Sequence, residues 1–173
     1  MLHILRLGHR PFRDQRITTH VCLAARSFGA DKIIYSGEKD SKLEEGIRKI
    51  VQNWGGKFDI SYEKNWKRVI EDHKKNKFSI IHLTMYGLAV QKQITKIRKN
   101  KKILIIVGGE KVPGEVYQLA DYNISVTSQP HSEVSGLAIL LHEFWKGKEL
   151  DRRFPNARIR LTPAERGKNI KNK

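Results

Sequence analysis

Six short β-rich runs alternate with amphipathic helical stripes along this chain, and that alternation constrains the fold more than any other feature. The runs are residues 2–7 (LHILRL), 32–36 (KIIYS), 57–62 (KFDISY), 79–84 (SIIHLT), 102–107 (KILIIV) and 122–126 (YNISV). Between them, apolar residues recur at helical spacing. One stripe is Ile17, Val21, Ala24, Ala25 and Phe28, with Gly29 as its stop. A second is Leu43, Ile47, Ile50, Val51 and Trp54, opened by Ser41 and Glu44 at capping-box spacing. Trp66, Val69, Ile70 and His73 suggest a third helix, and Val90, Ile94 and Ile97 a fourth. Val134, Leu137, Ala138, Leu141 and Trp145 mark the last. Strand–helix alternation predicts an α/β fold, a parallel sheet with helices on both faces. The most apolar runs, 79–84 and 103–107, are expected at its centre, because a central strand is covered above and below.

The chain has 173 residues, which suits one domain with a tail. The body is expected over 1–146. From Lys146 onward the apolar pattern weakens and basic residues and prolines accumulate, so 147–173 read as an extended basic arm. Hydrophobic residues are 39%, enough for a core, while the formal net charge of +16 concerns partners rather than fold. A domain this basic is expected to meet a polyanion, nucleic acid before an anionic membrane. Cys22 is the one cysteine, so neither a disulfide framework nor a cysteine zinc site can form within one chain. No run approaches the length of a membrane span, and the opening MLHILRLGHR lacks the apolar stretch of a secretory signal. The expectation is a soluble, cytoplasmic protein.

In an open parallel sheet, ligands bind beyond the carboxyl ends of the strands. After SIIHLT comes Met85-Tyr86-Gly87; after ILIIV comes Gly108-Gly109-Glu110-Lys111-Val112-Pro113-Gly114; after YNISV comes Thr127-Ser128-Gln129-Pro130-His131-Ser132-Glu133. Glycine admits close approach of a flat ligand to the backbone, and proline stiffens the turn. Each loop alone reads as a plain turn, but three on successive strands describe a main-chain-lined wall suited to an adenine ring. The phosphate-binding fingerprints G-x-G-x-x-G and G-x-x-x-x-G-K-[ST] are absent. Glu110 would repel a phosphate at the mouth of a following helix. A nucleoside without phosphate and with a positive charge, such as S-adenosylmethionine, fits better.

Two long stretches carry a resemblance. VGGEKVPGEVYQLADYNISV followed by SQPHSEVSGLAILLHEF, and the front segment LRLGHRPFRDQRITTHVCLAARSFGADKIIYSG, resemble the archaeal tRNA ribose 2′-O-methyltransferases that act on the cytidine at position 56 in the T loop. The resemblance covers nearly all of 1–146. It implies a SPOUT-class enzyme with a Rossmann-like parallel-sheet fold, a C-terminal trefoil knot and a homodimer whose active site lies near the subunit interface. It further implies S-adenosylmethionine held by Leu83, by Gly108, Gly109, Glu110, Lys111 and Val112, and by Val126, Thr127, Ser128, Gln129, Pro130, His131 and Ser132. Related ribose methyltransferases place an arginine where this chain has Leu23. Arg16, about two turns earlier, is expected to take that role, holding the flanking phosphate and a developing alkoxide, with Arg10 and Arg13 on RNA.

The spacing of His9, His20 and His131 fits no standard metal site, and none is expected. His82, in an apolar strand, is expected as a satisfied core histidine, and Trp54 and Trp66 as core residues. Two rival functions fit the same features: a non-catalytic basic RNA-binding protein whose loops are plain turns, and the same chemistry at another RNA position.

Overall fold

A computed structural model describes residues 1–109 and 111–172, the side chains of Gln15 and Asn172 excepted. Six parallel strands form the central sheet: β1 (Leu2–His9), β2 (Lys32–Gly37), β3 (Asp59–Tyr62), β4 (Ser79–Ala89), β5 (Ile103–Val107) and β6 (Tyr122–Ser125). Their spatial order is β3-β2-β1-β5-β4-β6, so every expected strand is present and the two most apolar runs are interior. The connecting helices are α1 (Pro11–Ser27), α2 (Ser41–Trp54), α3 (Trp66–Lys75), α4 (Val90–Ile97), α5 (Gly114–Leu119) and α6 (Glu133–Trp145).

Period-two side-chain alternation divides the core. On β5, Ile103, Ile105 and Val107 join one apolar cluster with Ile4 of β1, Val21 and Ala25 of α1, Ile94 and Ile97 of α4, and Leu137 and Leu141 of α6. Leu104 and Ile106 face the other way, with Leu5, Leu7, Val69, Ile70 and Val116 of β1, α3 and α5. Both faces of β5 are thus buried, which is why its sequence is continuously apolar rather than alternating. Trp66 packs half-buried against the second cluster. Among the described residues no helix is long and apolar enough to cross a membrane.

Three features depart from the sequence reading. The turn expected at 85–87 lies inside β4: Leu83 and Leu88 both pair with Ile124, so the intervening residues bulge out of register while the strand continues. A helix, α5, separates β5 from β6; at six residues it is too short to show a 3.6-residue pattern. Residues 147–172 carry secondary structure that the composition does not announce. Gly147 turns with φ +77°, a 3-10 helix follows at Lys148–Asp151, and β7 (Ile159–Thr162) pairs antiparallel with β8 (Asn169–Asn172). The segment between is fastened to the body. Gly56 N–H donates to Pro155 O at 2.8 Å, Arg158 N–H to Asn53 O at 2.9 Å, and Arg152 Nη1 to Gly29 O at 2.9 Å. Arg26 stacks over the Phe154 ring at 4.6 Å. These contacts join distant residues, so no local pattern announces them.

Candidate active site

Strand order reverses between β1 and β5: the connection after β1 leads toward β2 and β3, and the one after β5 passes β4 to reach β6. Open α/β sheets bind ligands at such a crevice. Two cavities open there, of about 540 and 610 Å³, and Gly109 and Lys111 belong to the walls of both.

The first cavity is lined by the end of β1 and the start of α1, including Gly8, His9, Arg10 and Arg13, with Gly37 and Glu38 opposite. Its floor is a buried polar chain. His9 is fully buried; its Nε2 lies 3.2 Å from Asp40 Oδ2, and its Nδ1 2.9 Å from Thr18 Oγ1. Asp40 also caps α2, accepting Leu43 N–H at 3.0 Å, and its own N–H donates to the Tyr35 hydroxyl at 2.9 Å. Gly37, at φ +108°, lets this chain close, because a Cβ there would run into the backbone of His9. Burial alone would raise the Asp40 carboxyl, but the Leu43 N–H and His9 outweigh it and hold it below its ordinary value.

Asp40→Ala removes a helix cap, costing about 1 kcal/mol, and orphans a buried histidine nitrogen, costing roughly 1–3 kcal/mol. In a chain of this size the expected fall in Tm is roughly 5–15 °C. A depressed carboxyl contributes stability that is present above its unfolded pKa and lost as pH falls through its folded one. The Tm gap between parent and variant, measured calorimetrically, therefore narrows on acidification.

The second cavity lies between the ends of β4 and β5 and the loop before α6. Its apolar wall is Leu83, Val107 and Val112, and its polar side is His82, Thr84 and Tyr117. Asn123 Nδ2 donates to Tyr117 O at 3.0 Å, and its Oδ1 lies 2.9 Å from His82 Nδ1. That arrangement places the His82 proton on Nδ1 and leaves Nε2 an acceptor, buried and without a partner among the described residues. Burial keeps His82 below its ordinary pKa, against the Asn123 hydrogen bond, so the neutral ring persists. Thr84 Oγ1 and the Tyr117 hydroxyl lie 3.1 Å apart. Gly136 leaves room for His131 to fold over α6, since a Cβ there would come within 2.8 Å of His131 Cε1. Gly108 is similarly closed by Val112.

Of the residues singled out in the sequence, Leu83, Gly108, Gly109, Lys111, Val112, Pro130 and His131 meet around the second cavity. Glu110 lies outside the described residues. Val126 is half-buried against the core, Thr127, Ser128 and Gln129 are exposed, and Ser132 caps α6; none of these four loop positions or the cap is in the cavity wall. Arg10 and Arg13 line the first cavity, whereas Arg16 is exposed one turn further along α1 and lines neither. Sequence reasoning did not single out Thr84 or Tyr117, gave Glu133 of the third loop no role of its own, and assigned His82 to a satisfied core. His82 is indeed buried, but only one of its nitrogens is satisfied. The signal available was a histidine amid β-branched residues, directly before a glycine-rich rim.

Arg6 sits beneath the junction of the two cavities, 1% exposed, and burial pushes its guanidinium below the ordinary value while Glu133 opposes the shift. A buried cation at a switch-point crevice, beside a cavity with an unpaired acceptor, is the composition of a functional site rather than of a core.

The sequence profile of the family described as tRNA ribose 2′-O-methyltransferase, aTrm56, matches residues 54–171. The chain belongs to this family. This aTrm56-family chain is similar to the tRNA (cytidine(56)-2′-O)-methyltransferase of Methanothermobacter thermautotrophicus, with 54% identity across 97% of this chain and 94% of that one. It is similar also to the Thermococcus kodakarensis protein of the same name, with 48% identity across 98% and 96%. Among solved structures, the aTrm56-family fold is similar to the A. aeolicus TrmH/SpoU tRNA modifying enzyme, with a TM-score of 0.65 at 16% identity over 87% of this chain and 76% of that one. The SpoU methyltransferase AviRb from Streptomyces viridochromogenes, solved in complex with AdoMet, gives a TM-score of 0.62 at 13% identity over 84% and 57%. At these identities the likeness is one of fold, and it agrees with the α/β SPOUT architecture expected from the sequence.

Proposed function

We propose that this chain methylates the ribose 2′-oxygen of cytidine 56 in tRNA, using S-adenosylmethionine. The observation that carries the reading is the meeting of two unlike cavities at Gly109, one bordered by Arg10 and Arg13 and one walled by main chain, apolar groups and a free acceptor. Relatives that share about half their residues with nearly the whole chain bear the corresponding name.

The second cavity fits the donor. It has the room of a small-molecule site, His82 Nε2 is an acceptor for an amino group, and Gly108 and Gly109 bring backbone to the wall. Leu83, Gly108, Gly109, Lys111, Val112, Pro130 and His131 would hold it from the cavity wall, with the rest of 108–112 and 126–132 beside them. When bound, S-adenosylmethionine supplies a methyl group on a sulfonium that departs as a neutral thioether. The remaining work falls to the protein: to fix the ribose in line with the methyl and to stabilise charge on the 2′-oxygen as its proton leaves.

Arg10 and Arg13 stand where the RNA backbone would enter, and Arg16 continues the row on the exposed side of α1. A guanidinium forks onto a phosphate and resists deprotonation, so these residues position and stabilise rather than accept the proton. Arg16 is assigned the flanking phosphate and the developing alkoxide. Residues 147–173, set apart from the 1–146 body by composition, extend the basic surface. Such contacts release counterions, so affinity for tRNA falls steeply with salt.

The same reading includes a trefoil knot, a homodimer and a cytoplasmic location. The knot is supported by the tight passage of β6 beside the tail of β4, where the Ser125 hydroxyl donates to Gly87 O at 3.1 Å, and by α6 packing against both α1 and α4.

Incubation with methyl-labelled S-adenosylmethionine and a tRNA transcript, then nucleoside analysis, tests the function. Label in 2′-O-methylcytidine, lost when position 56 is changed, is the expected result. Label on a base, or tight tRNA binding without incorporation, overturns it. Arg16→Ala is expected to leave donor affinity within about twofold and to cut turnover by roughly 100-fold, the scale for losing one transition-state donor. Parent-like turnover would move the role to another group.

A further inference from the structure

Arg6 is the least satisfied charge in the described molecule. Its Nε and Nη1 are buried with no hydrogen-bond partner among the described residues. The ion pair it makes is with Glu133, whose Oε1 lies 3.7 Å from Nη1, too long for a hydrogen bond. Burying a guanidinium with so little compensation is costly, and a hydrophobic side chain at this strand position would cost nothing comparable. A stability role alone does not account for it.

The two partners differ in exposure. Arg6 is 1% exposed and Glu133 35%. Glu133, the first residue of α6, belongs to the wall of the second cavity; Arg6 lies behind that wall, with its Nη atoms 3.8 Å from where a Cβ on Gly109 would stand. The pair is therefore an oriented dipole, with its positive end buried and its negative end turned to the cavity. In low dielectric such a dipole keeps a strong field at short range. Its negative end selects a cation and its buried positive end holds the carboxylate in place.

We propose that the Arg6–Glu133 pair recognises the sulfonium charge of the methyl donor, with Glu133 facing the cation and Arg6 acting as the positioning residue behind it. The inference rests on the function proposed above and deepens it. The sulfonium is the one positive charge that disappears when the methyl group leaves. Glu133 thus favours the donor over S-adenosylhomocysteine, the spent form, and weakens the hold on product once transfer is complete. This pair joins an unpaired buried guanidinium to a carboxylate in a cavity whose other described lining residues, Lys111 apart, are apolar or neutral.

The test compares S-adenosylmethionine and S-adenosylhomocysteine by calorimetry on the full chain without RNA. Glu133→Gln is expected to weaken the donor about tenfold while leaving the product within about twofold. Glu133→Asp, which keeps the charge on a shorter stem, is expected to recover part of the discrimination; a thermal melt of both variants establishes that each is folded. An unchanged donor-to-product ratio in folded Glu133→Gln overturns the inference. Equal weakening of both ligands also overturns it, since Glu133 would then serve a part they share. Failure of the parent protein to bind the donor at all would instead overturn the proposed function.

Discussion

Gly87→Val is expected to yield no stably folded protein. A Cβ at position 87 would stand 2.5 Å from Asn123 C and Ile124 N and 2.6 Å from Asn123 O, all backbone atoms of β6. Backbone in the middle of a strand pairing cannot swing aside as a side-chain tip can, and β6 is held there by its register with β4. The tail of β4 must therefore separate from β6, at a cost above about 4 kcal/mol, the range reserved for broken cores and networks. Soluble yield and the cooperative thermal transition are the readouts, with Gly46→Ala as the comparison. Gly46 lies in α2 with no atom near its missing Cβ, so alanine there gains helix propensity of about 1 kcal/mol. A Gly87→Val protein melting near the parent would show that the two strands do not pass so closely.

Gly109→Val separates binding from folding. The added Cβ would meet Leu7 O at 3.5 Å and the Arg6 guanidinium at 3.8 Å, both ordinary contacts, so the fold is retained. The branches must go where both cavities have their common wall. Overfilling a shaped site costs about 1–3 kcal/mol, so donor affinity is expected to fall roughly 5- to 150-fold. A Tm close to the parent, together with donor affinity lost by calorimetry, is the expected pair of results. Undiminished donor affinity would place the ligand away from this loop.

The fold was largely legible because its signals are local. Ile103 to Val107 reads as a central strand because its apolar run is short and two glycines stop it; Leu43 and Ile47 place the inner face of α2 through spacing alone, although its cap is Asp40, one residue before the Ser41 that the capping-box spacing pointed to. The rim of the site was legible for the same reason. Gly108, Gly109, Pro130 and His131 follow strand ends, and strand ends in a parallel sheet share one edge.

What stayed hidden depends on contacts between residues far apart in the chain. Neither the bulge at 84–87 nor the fastening of 152–158 onto α1 and α2 has a periodic signature; each exists because a distant backbone offers the matching group. Arg6 shows the division most sharply. Its run, LHILRL, foretells a strand and the face on which residue 6 must lie, but one arginine among many gives no hint of its role. Only packing β1 against β5, α1 and α6 shuts that guanidinium from water and sets Glu133 in front of it. Strand and helix follow from nearest-neighbour patterns along the chain, whereas charge burial is a property of the assembled volume.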